Sequence, residues 1–303
     1  MISVQVPATS ANLGPGFDCL GLALCLYNKI IVETDRPFKI TLTGPYTAGI
    51  SLEPNNLVWH TMCLLWQNVG FPIPSISLTL ESHIPPARGL GSSSAAIVGG
   101  LLAANTLAGN PLNQLELLQM ATQIEGHPDN VTPALLGGIT LAVPTNDGIL
   151  PRILTNSPKI RAIVVVPELL LKTNTARGVL PPKVTRREAV FNIAHVALLV
   201  EAFIKEEYQL LREGMLDLLH QNQRATLIPG MHDTLKAALE AGAFGAALSG
   251  SGPTLLALVA EEVETNVAES MITAFKKHSI QAQAYALSID SHGAQILEDT
   301  NLG

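Results

Sequence analysis

The order of strand-like and helix-like segments predicts an α+β fold with largely antiparallel sheets. Strand-like segments with alternating apolar residues dominate the first part of the chain: ISVQV, NKIIVET, FKITLTG and SISLTLES. The second half opens on IRAIVVVP and closes on AALSGSGPTLLALVA and QAQAYALSID, with a helix-like segment at residues 261–278 between them. Strands and helices therefore do not alternate as in a repeated βαβ unit, and this order disfavours a parallel sheet.

Helix-like segments interrupt the strands in both halves. In the first half, NNLVWHTMCLLWQNVG has Asn55 or Asn56 as its expected N-cap, and two further helices are expected over residues 92–108 and over NQLELLQMATQIEG. In the second half, residues 185–212 and about 230–241 have helical periodicity.

A polar stretch, PTNDGILPRILTNSPK, begins at Pro144 and marks a change in residue composition. Such a stretch is typical of a junction between domains. We therefore expect two domains, residues 1–152 and residues 153–303.

Composition limits the classes of partner. The 303 residues are 47% hydrophobic and 14% charged, which argues against disorder, and the net charge of −7 provides no basic surface for nucleic acid or anionic lipid. The start lacks the pattern of a signal peptide, and the longest apolar run, residues 95–104, is too short to span a bilayer. Cys19, Cys25 and Cys63 lack metal-ligand spacing and indicate free thiols in a reducing cytoplasm. We expect a cytoplasmic protein with no membrane or nucleic-acid partner.

The segment PPARGLGSSSAAIVGG, residues 85–100, predicts a phosphate site. Gly89 and Gly91 allow positive φ angles and close approach of a ligand to the backbone. Ser92, Ser93 and Ser94 fall where a helix begins, so that free N–H groups and the helix dipole favour an anion. The alternative is a glycine turn followed by a serine N-cap. Three serines at the helix start, with two prolines before the glycines, favour phosphate.

This loop matches neither of the two common nucleotide-binding motifs. It contains no GxxxxGKS or GxxxxGKT, and Ser94 stands where the dinucleotide fingerprint requires a third glycine. Without a loop lysine, Mg²⁺ must offset the phosphate charge, and Mg²⁺ takes one or two protein oxygens besides the phosphates. A serine hydroxyl can supply one oxygen, and Glu125 is a candidate for the other.

The stretch EGHPDN, residues 125–130, concentrates polar side chains after a predicted helix. A metal site, an acid–base pair and a capped turn are all compatible with it. The alternative for Glu125 is a solvated residue near a helix C-terminus, where a carboxylate opposes the dipole. Its position beside a glycine and a histidine favours function slightly. A single histidine on a turn, such as His127, is more often structural than functional.

The combined motifs resemble the GHMP kinases, small-molecule kinases of galactose, homoserine, mevalonate and phosphomevalonate. PPARGLGSSSAA resembles the central motif of that family, PATSANLGPGFDCLGLAL (residues 7–24) is similar to its first motif, and GAFGAALSGSGPTLLAL (residues 242–258) is similar to its third. EGHPDNVTPALLGG and LIPG (residues 227–230) are typical of the homoserine kinases within the family. The resemblance covers essentially the whole chain.

The resemblance implies a fold and a reaction. The expected fold is a ribosomal-S5-like N-terminal domain that binds ATP, residues 1–152, followed by a ferredoxin-like C-terminal domain, residues 153–303. The implied reaction transfers the γ-phosphoryl group of ATP to the side-chain hydroxyl of L-homoserine. Its product, O-phospho-L-homoserine, leads to threonine. The family also suggests a homodimer.

The resemblance assigns the nucleotide side of the site. Ser93 and Glu125 match the ligands of Mg²⁺ between the β- and γ-phosphates, Thr173 matches a hydroxyl near the γ-phosphate, and Asn56 matches a contact to adenine. The ATP-binding loop comprises Pro86, Ala87, Arg88, Gly89, Leu90, Gly91, Ser92, Ser93, Ser94, Ala95 and Ala96.

The resemblance also assigns the homoserine side. Homoserine is a zwitterion, and arginine forks suit its carboxylate. Arg177 and Arg224 match the family arginines in this role, although either alone would be interpreted as a surface arginine. The remaining residues implied to bind substrate are Asn12 and Asp18 at the amino end, His127 and Asn130.

No dedicated general base is expected. Mevalonate and galactose relatives have an aspartate at the position matching Asn130, and an amide cannot act as a base near neutral pH. Asp129 is expected to cap the turn. Asn130, Thr173 and Arg177 would then act through positioning and electrostatics. The alternatives are a GHMP kinase for a different alcohol, a catalytically silent GHMP-fold binding protein and, disfavoured by the failed fingerprint, a nucleotide-binding oxidoreductase.

Overall fold

The computed structural model describes residues 1–297, which form two β-sheets with helices packed against them. The strands are β1 (Ile2–Ala11), β2 (Leu20–Thr34), β3 (Lys39–Thr43), β4 (Ile76–Glu81), β5 (Ile139–Thr145), β6 (Gly148–Thr155), β7 (Arg161–Pro167), β8 (Gly245–Leu248), β9 (Leu255–Val259), β10 (Ala282–Ser288) and β11 (Gln295–Leu297). The α-helices are α1 (Leu57–Asn68), α2 (Ser92–Leu107), α3 (Gln114–Glu125), α4 (Pro128–Leu136), α5 (Thr173–Gly178), α6 (Arg186–Lys205), α7 (Leu211–Gly214), α8 (Gln221–Ala225), α9 (Met231–Glu240) and α10 (Glu264–Lys277).

The two sheets are largely antiparallel, which confirms the predicted α+β fold class. The seven-stranded sheet has the order β11-β1-β2-β4-β3, with β5 paired to β2 and β6, and β3–β4 is its parallel pair. The four-stranded sheet has the order β10-β7-β9-β8 with antiparallel pairing throughout. After β10 the chain returns to the first sheet, where β11 pairs with β1. The division at residues 152 and 153 stays a prediction, and residues 298–303 of the expected second domain lie outside the described residues.

Helix α2 packs closely on the first sheet because two adjacent residues lack side chains. A Cβ atom at Gly99 would overlap Ile30 and Val6 on the sheet, and one at Gly100 would press on the Val58 carbonyl at the start of α1. Close packing of this kind fixes the helix against both neighbours. It therefore also fixes the N-terminus of α2, where the predicted phosphate loop lies.

The second sheet has apolar residues on both faces. Ile163 and Val165 of β7 point to the side covered by α9 and α10, where Met271 and Phe275 are buried. Alternate residues on the opposite face, such as Val164, belong to a core that is continuous with that of the first sheet. One core therefore spans both halves, and a second core lies between the second sheet and helices α9 and α10.

Several local predictions can be compared with the structure. Asn56 caps α1, because its Oδ1 accepts from the N–H groups of Val58 and Trp59. The polar stretch after Pro144 is not a linker, since it forms most of the β5–β6 hairpin. The expected helix over residues 185–212 is interrupted where Glu206 adopts a left-handed conformation at the end of α6.

Membrane insertion through a helix receives no support: none of the helices formed by residues 1–297 combines the length and the apolar character needed to cross a bilayer.

Candidate active site

A cavity of about 530 Å³ lies where the two halves of the chain meet. Its volume is in the range of sites for small molecules and cofactors. All the predicted site residues except Ser94 line this cavity. They are Asn12, Asp18, Asn56, Pro86, Ala87, Arg88, Gly89, Leu90, Gly91, Ser92, Ser93, Ala95, Ala96, Glu125, His127, Asn130, Thr173, Arg177 and Arg224. The structure thus brings them together, while their individual roles stay predictions.

The glycine–serine loop presents free backbone N–H groups to the cavity. The first intrahelical hydrogen bond of α2 joins Ala95 N to Gly91 O at 2.8 Å, so the N–H groups of the three serines before Ala95 have no partner within the helix. The alternative of a serine N-cap is wrong, because the cap residue is Gly91 and no side chain caps the helix. The loop therefore offers the donors that bind an anion.

Glycine is required at two positions of this loop. Gly91 has a φ of 68° and Gly89 a φ of 78°, angles that residues with a Cβ rarely adopt. A Cβ at Gly91 would overlap Thr9 Oγ1, and one at Gly89 would overlap the Ser249 carbonyl. The loop thus touches both the first strand and the segment between β8 and β9.

Glu125 meets two serine hydroxyls at the end of α3. Ser93 Oγ donates to Glu125 Oε1 at 2.8 Å, and the buried Ser94 Oγ donates to the same oxygen at 3.0 Å. A carboxylate at this helix end opposes the dipole, and the two hydroxyls offset that cost. Within residues 1–297 no group of three or more His, Cys, Asp and Glu residues is arranged to hold a metal ion. Hydroxyl and carboxylate oxygens are nevertheless hard donors that fit Mg²⁺ when phosphates supply further oxygens.

The partly buried His127 and the buried Asp129 form a pair at the start of α4. The distance from His127 Nδ1 to Asp129 Oδ1 is 2.7 Å, and Asp129 is 2% exposed. The prediction that Asp129 caps the turn is wrong, since its carboxylate contacts His127 and the Asn130 amide instead. Burial is the largest influence on the His127 pKa and lowers it, but Asp129 and Glu125 outweigh burial, and the net pKa is raised.

Asn130 is held in one orientation. Its Oδ1 accepts from Thr9 Oγ1 at 2.8 Å, and its Nδ2 donates to Asp129 Oδ1 at 3.4 Å. The amide is buried and lines the cavity beside Gly91. One N–H of Nδ2 remains available to a bound molecule.

Arg177 and Asp18 bridge the two halves of the chain across the cavity. Arg177 Nη2 and Nη1 donate to the two oxygens of Asp18 at 2.6 and 3.1 Å. The hydrogen bond to Asp18 raises the Arg177 pKa above its ordinary value, against a smaller lowering by burial. Asn12 supports the pair, because its Oδ1 accepts from the Asp18 N–H and its Nδ2 donates to the Gly250 carbonyl at 2.9 Å.

Arg224 is a buried cation rather than the surface arginine expected of it in isolation. It is 1% exposed, and its guanidinium donates to the carbonyls of Ala176 and Gly250 and to His220 Nδ1. The ring of Phe17 lies 5.4 Å from its guanidinium carbon and 5.6 Å from that of Arg177. Within residues 1–297 no carboxylate lies in ion-pair contact with Arg224.

The surroundings of Arg224 explain its lowered pKa and the orientation of its guanidinium. Burial, followed by the charge of Arg177, lowers the Arg224 pKa to about 10. Burial also lowers the pKa of His220, which favours the neutral ring. A neutral His220 can donate from Nε2 to the Gly14 carbonyl at 2.8 Å and accept from Arg224 at Nδ1. Arg224 therefore remains charged near neutral pH, and it lines the cavity.

Other predicted residues have structural partners in addition to the cavity. Asn56 Nδ2 donates to the Ser51 carbonyl at 2.7 Å. The side-chain amide that is expected to contact adenine therefore also holds the preceding loop and the start of α1. Thr173 Oγ1 lies 3.4 Å from Ser251 Oγ, and Arg88 donates to the Leu169 carbonyl.

Sequence reasoning missed several residues that line or support the cavity: Thr9, Phe17, Asp129, Lys172 and Ser251. Lys172 stands beside Thr173, and Ser251 stands between two glycines of the third motif, so both carried a detectable signal. Thr9 and Phe17 lie within the first motif, residues 7–24, but their partners Asn130 and Arg224 lie far along the chain, so the local pattern did not indicate these contacts.

Comparison with known proteins gives the family. Residues 56–138 match the model of the GHMP kinases N terminal domain, and residues 199–277 match that of the GHMP kinases C terminal domain. A homoserine kinase of Desulfitobacterium hafniense is 54% identical, with 98% of this chain and 100% of that protein covered, and one of Microchaete diplosiphon is 43% identical, with 98% of each covered. The crystal structure of homoserine kinase from Cytophaga hutchinsonii superposes with a TM-score of 0.87 at 30% identity, over 98% of this chain and 97% of the other. The chain therefore belongs to the homoserine kinase group of the GHMP kinase family.

Proposed function

We propose that the protein phosphorylates the side-chain hydroxyl of L-homoserine with ATP, giving O-phospho-L-homoserine for threonine biosynthesis. The observation that carries the substrate assignment is the buried guanidinium of Arg224, which lines the cavity without a carboxylate partner among the described residues. A charged group taken out of water requires an opposite charge or strong hydrogen bonds. The hydrogen bonds of Arg224 to two carbonyls and to His220 stabilise the cation but do not neutralise it. The carboxylate of an amino acid would neutralise it, and a neutral sugar would not.

The nucleotide side of the proposal rests on the glycine–serine loop. The free N–H groups at the start of α2 would bind phosphate oxygens, as helix N-termini do. Ser93 Oγ and the Glu125 carboxylate, already within 2.8 Å of each other, would hold Mg²⁺. When bound, Mg²⁺ would neutralise charge on the β- and γ-phosphates. Ser94 would orient Glu125 from the buried side, and Asn56 would contact adenine.

The homoserine side pairs each end of the zwitterion with an opposite charge. Arg224 and Arg177 would bind the carboxylate, with Arg224 fixed by its backbone acceptors and Arg177 able to exchange Asp18 for substrate. Asp18 and Asn12 would accept the ammonium group. His127 and Asn130 would complete the pocket near the reacting hydroxyl.

The proposal includes no dedicated side-chain base. Asn130 has no basic group, and its orientation by Thr9 is consistent with a positioning role. The carboxylate oxygen of Asp129 nearest to it already contacts His127. Positioning by Asn130, Thr173 and Arg177 would carry catalysis, and the hydroxyl proton would leave late, to phosphate or water.

We also propose a cytoplasmic homodimer that does not bind nucleic acid. The net charge of −7 disfavours a nucleic-acid partner. Cys19, Cys25 and Cys63 are free thiols, as a reducing compartment would keep them.

The proposal is tested by ATP-dependent ADP release in the presence of homoserine, serine, mevalonate or galactose. We expect homoserine to stimulate release far more than the other three alcohols. Greater stimulation by mevalonate or galactose would contradict the substrate assignment. ADP release that no alcohol stimulates, with ATP binding intact, would favour the catalytically silent alternative.

A further inference from the structure

His220 is a buried residue that lies between the two predicted ends of the homoserine pocket. Its side chain has no exposed surface and stands immediately before α8. The distance from its Nε2 to the Gly14 carbonyl oxygen is 2.8 Å, and the distance from its Nδ1 to Arg224 Nη1 is 3.2 Å. One ring nitrogen thus contacts the turn of residues 12–18, which we call the first-motif turn, and the other contacts an arginine assigned to the substrate carboxylate.

These two contacts require one form of the imidazole ring. A carbonyl oxygen can only accept a hydrogen bond, and a guanidinium can only donate one. The ring proton therefore lies on Nε2, and the lone pair of Nδ1 accepts from Arg224. The nearest Asp217 carboxylate oxygen is 3.6 Å from Nε2, which is too long for a hydrogen bond. A second proton, on Nδ1, would replace the acceptor by a cation that faces Arg224.

The backbone around His220 is held by a buried carboxylate. Asp217 accepts from three backbone N–H groups, of which that of His220 is at 2.9 Å. Asn192 of α6 donates to the same carboxylate at 2.7 Å and to the Pro15 carbonyl at 3.3 Å. Buried hydrogen bonds therefore join the segment before α8 to helix α6 and to the first-motif turn, and they leave the His220 ring little freedom to move.

The first-motif turn also packs directly against the segment before α8. Gly14 has a φ of 86°, and a Cβ atom there would overlap the Met215 carbonyl. The Phe17 ring lies 5.1 Å from the His220 ring and 5.4 Å from the guanidinium carbon of Arg224. Because such close packing resists displacement, the carbonyl that anchors Nε2 has a fixed position.

The guanidinium of Arg224 is held through two of its three nitrogens. Nε donates to the Ala176 carbonyl, and Nη1 donates to the Gly250 carbonyl at 3.0 Å and to His220 Nδ1. Within residues 1–297 no hydrogen bond leaves from Nη2. Since Arg224 lines the cavity, Nη2 is the donor that remains for a bound carboxylate. Without His220, two carbonyls alone would hold the guanidinium plane.

We propose that His220 is a positioning residue for homoserine, which fixes Arg224 through Nδ1 relative to the first-motif turn that it holds through Nε2. That turn carries Asn12 and Asp18, which we assign to the ammonium group. His220 thereby sets the separation between the two ends of the amino-acid pocket, although it is not among the residues that line the cavity. This inference rests on the proposed function and adds to it a residue that does not touch the substrate.

Asparagine and glutamine separate the two contacts of His220. The amide of asparagine stands where Nδ1 stands, so His220→Asn keeps an acceptor for Arg224 and loses the donor to Gly14. The amide of glutamine reaches the place of Nε2, so His220→Gln keeps the donor and loses the acceptor. We expect His220→Gln to raise KM for homoserine about tenfold, the effect of one hydrogen bond to a charged group, and His220→Asn to raise it by at most about threefold. KM for ATP should change far less in both variants.

Thermal unfolding and a matched histidine keep this comparison specific. Each variant loses one buried hydrogen bond, so both should lower Tm alike, and stability then cannot produce a difference in KM between them. His232→Gln, at an exposed position of α9, should leave both KM values unchanged. Equal KM values for homoserine in His220→Asn and His220→Gln would overturn the proposal, as would a wild-type KM in His220→Gln.

Nitrogen NMR of the wild type with isotope-labelled histidine tests the contact without any substrate. The signals that are absent from the spectrum of either variant belong to His220. They should show a proton on Nε2 and none on Nδ1. A proton on Nδ1, alone or together with one on Nε2, would exclude acceptance from Arg224 and overturn the proposal.

This proposal and the proposed function can fail separately. A wild type whose ADP release homoserine does not stimulate would contradict the proposed function, while NMR would still decide the contact between His220 and Arg224. Stimulation of the wild type by homoserine, with the same KM in His220→Gln, would overturn the role of His220 alone.

Discussion

Arg177 donates two hydrogen bonds to Asp18, at 2.6 and 3.1 Å, although 159 residues separate them in the chain. Asp18 thus occupies the guanidinium fork that we assign to the substrate carboxylate. Both side chains are about one-third exposed, so the pair is accessible to an incoming molecule. We infer that homoserine binding exchanges one carboxylate for another at Arg177 and frees Asp18 for the ammonium group.

Arg177→Lys should therefore raise KM for homoserine by roughly tenfold or more. A two-pronged contact between guanidinium and carboxylate is stronger than the contact of a single ammonium group by about 1.4 kcal/mol or more. KM for ATP should change little. Steady-state kinetics with each substrate varied in turn measures both values, and Arg187→Lys on the exposed side of α6 is the matched control. Equal effects of Arg177→Lys on the two KM values would contradict the carboxylate assignment.

Arg224→Lys should also raise KM for homoserine, but with a loss of stability that Arg177→Lys lacks. The buried guanidinium bonds to two carbonyls and to His220, and lysine cannot satisfy all of them. One unsatisfied buried acceptor costs about 1–3 kcal/mol, which lowers Tm by roughly 2–5 °C in a protein of this size. Calorimetry of the two variants side by side checks the difference. An unchanged Tm for Arg224→Lys would contradict the structural part of its role.

Glu125→Gln should raise the Mg²⁺ concentration needed for nucleotide binding, because the amide removes the only carboxylate in the Ser93–Ser94–Glu125 cluster. Titration calorimetry of ATP at several Mg²⁺ concentrations measures this effect without turnover. Glu116→Gln, in the first turn of the same helix, is the control. Nucleotide affinity with the same Mg²⁺ dependence in the wild type and Glu125→Gln would exclude Glu125 as a ligand.

Asn130→Ala should weaken homoserine binding more than it alters the pH profile of kcat. Thr9→Val, which removes the donor that orients the Asn130 amide, should have a smaller effect in the same direction. The decisive comparison is the pH profile of Asp129→Asn. Loss of a rate-limiting ionisation in that variant alone would show that Asp129 acts as a base and that the proposed mechanism is wrong.

Gly91→Ala should destabilise the protein and abolish nucleotide binding, since the new Cβ would overlap Thr9 Oγ1 in addition to straining a φ of 68°. Gly109→Ala separates the two causes, because Gly109 has a φ of 84° and open space around it. The control should lose only the backbone term of about 1–2 kcal/mol. Denaturant unfolding of both variants checks this, and equal losses would show that Thr9 can move aside.

Strands and helices with a strong local pattern could be predicted from the sequence. Alternation identified β3 and β4, and the cap at Asn56 placed the start of α1 correctly. Short elements such as α5, α8 and β11 have too few residues to show a period, and β11 forms only because β1 offers it an edge. The hairpin after Pro144 has the local pattern of a linker because Pro144, Pro151 and the polar turn between them interrupt the alternation.

The predicted site residues came mostly from the resemblance to a family, and their local chemistry explains why. Arg224 looks like a surface residue until folding buries it beneath Phe17. The local sequence predicts that Asp129 caps a turn, whereas in the folded protein its carboxylate contacts His127. Such partners depend on tertiary contacts between segments far apart in the chain, which no local pattern contains.

The central claim is that the γ-phosphoryl group of ATP reaches the side-chain oxygen of homoserine. Phosphorus NMR of a mixture of enzyme, ATP, Mg²⁺ and L-homoserine tests this directly. The account predicts one phosphomonoester signal per ADP formed, coupled to the methylene protons next to the homoserine hydroxyl. ADP accompanied only by inorganic phosphate, with homoserine unchanged, would contradict it.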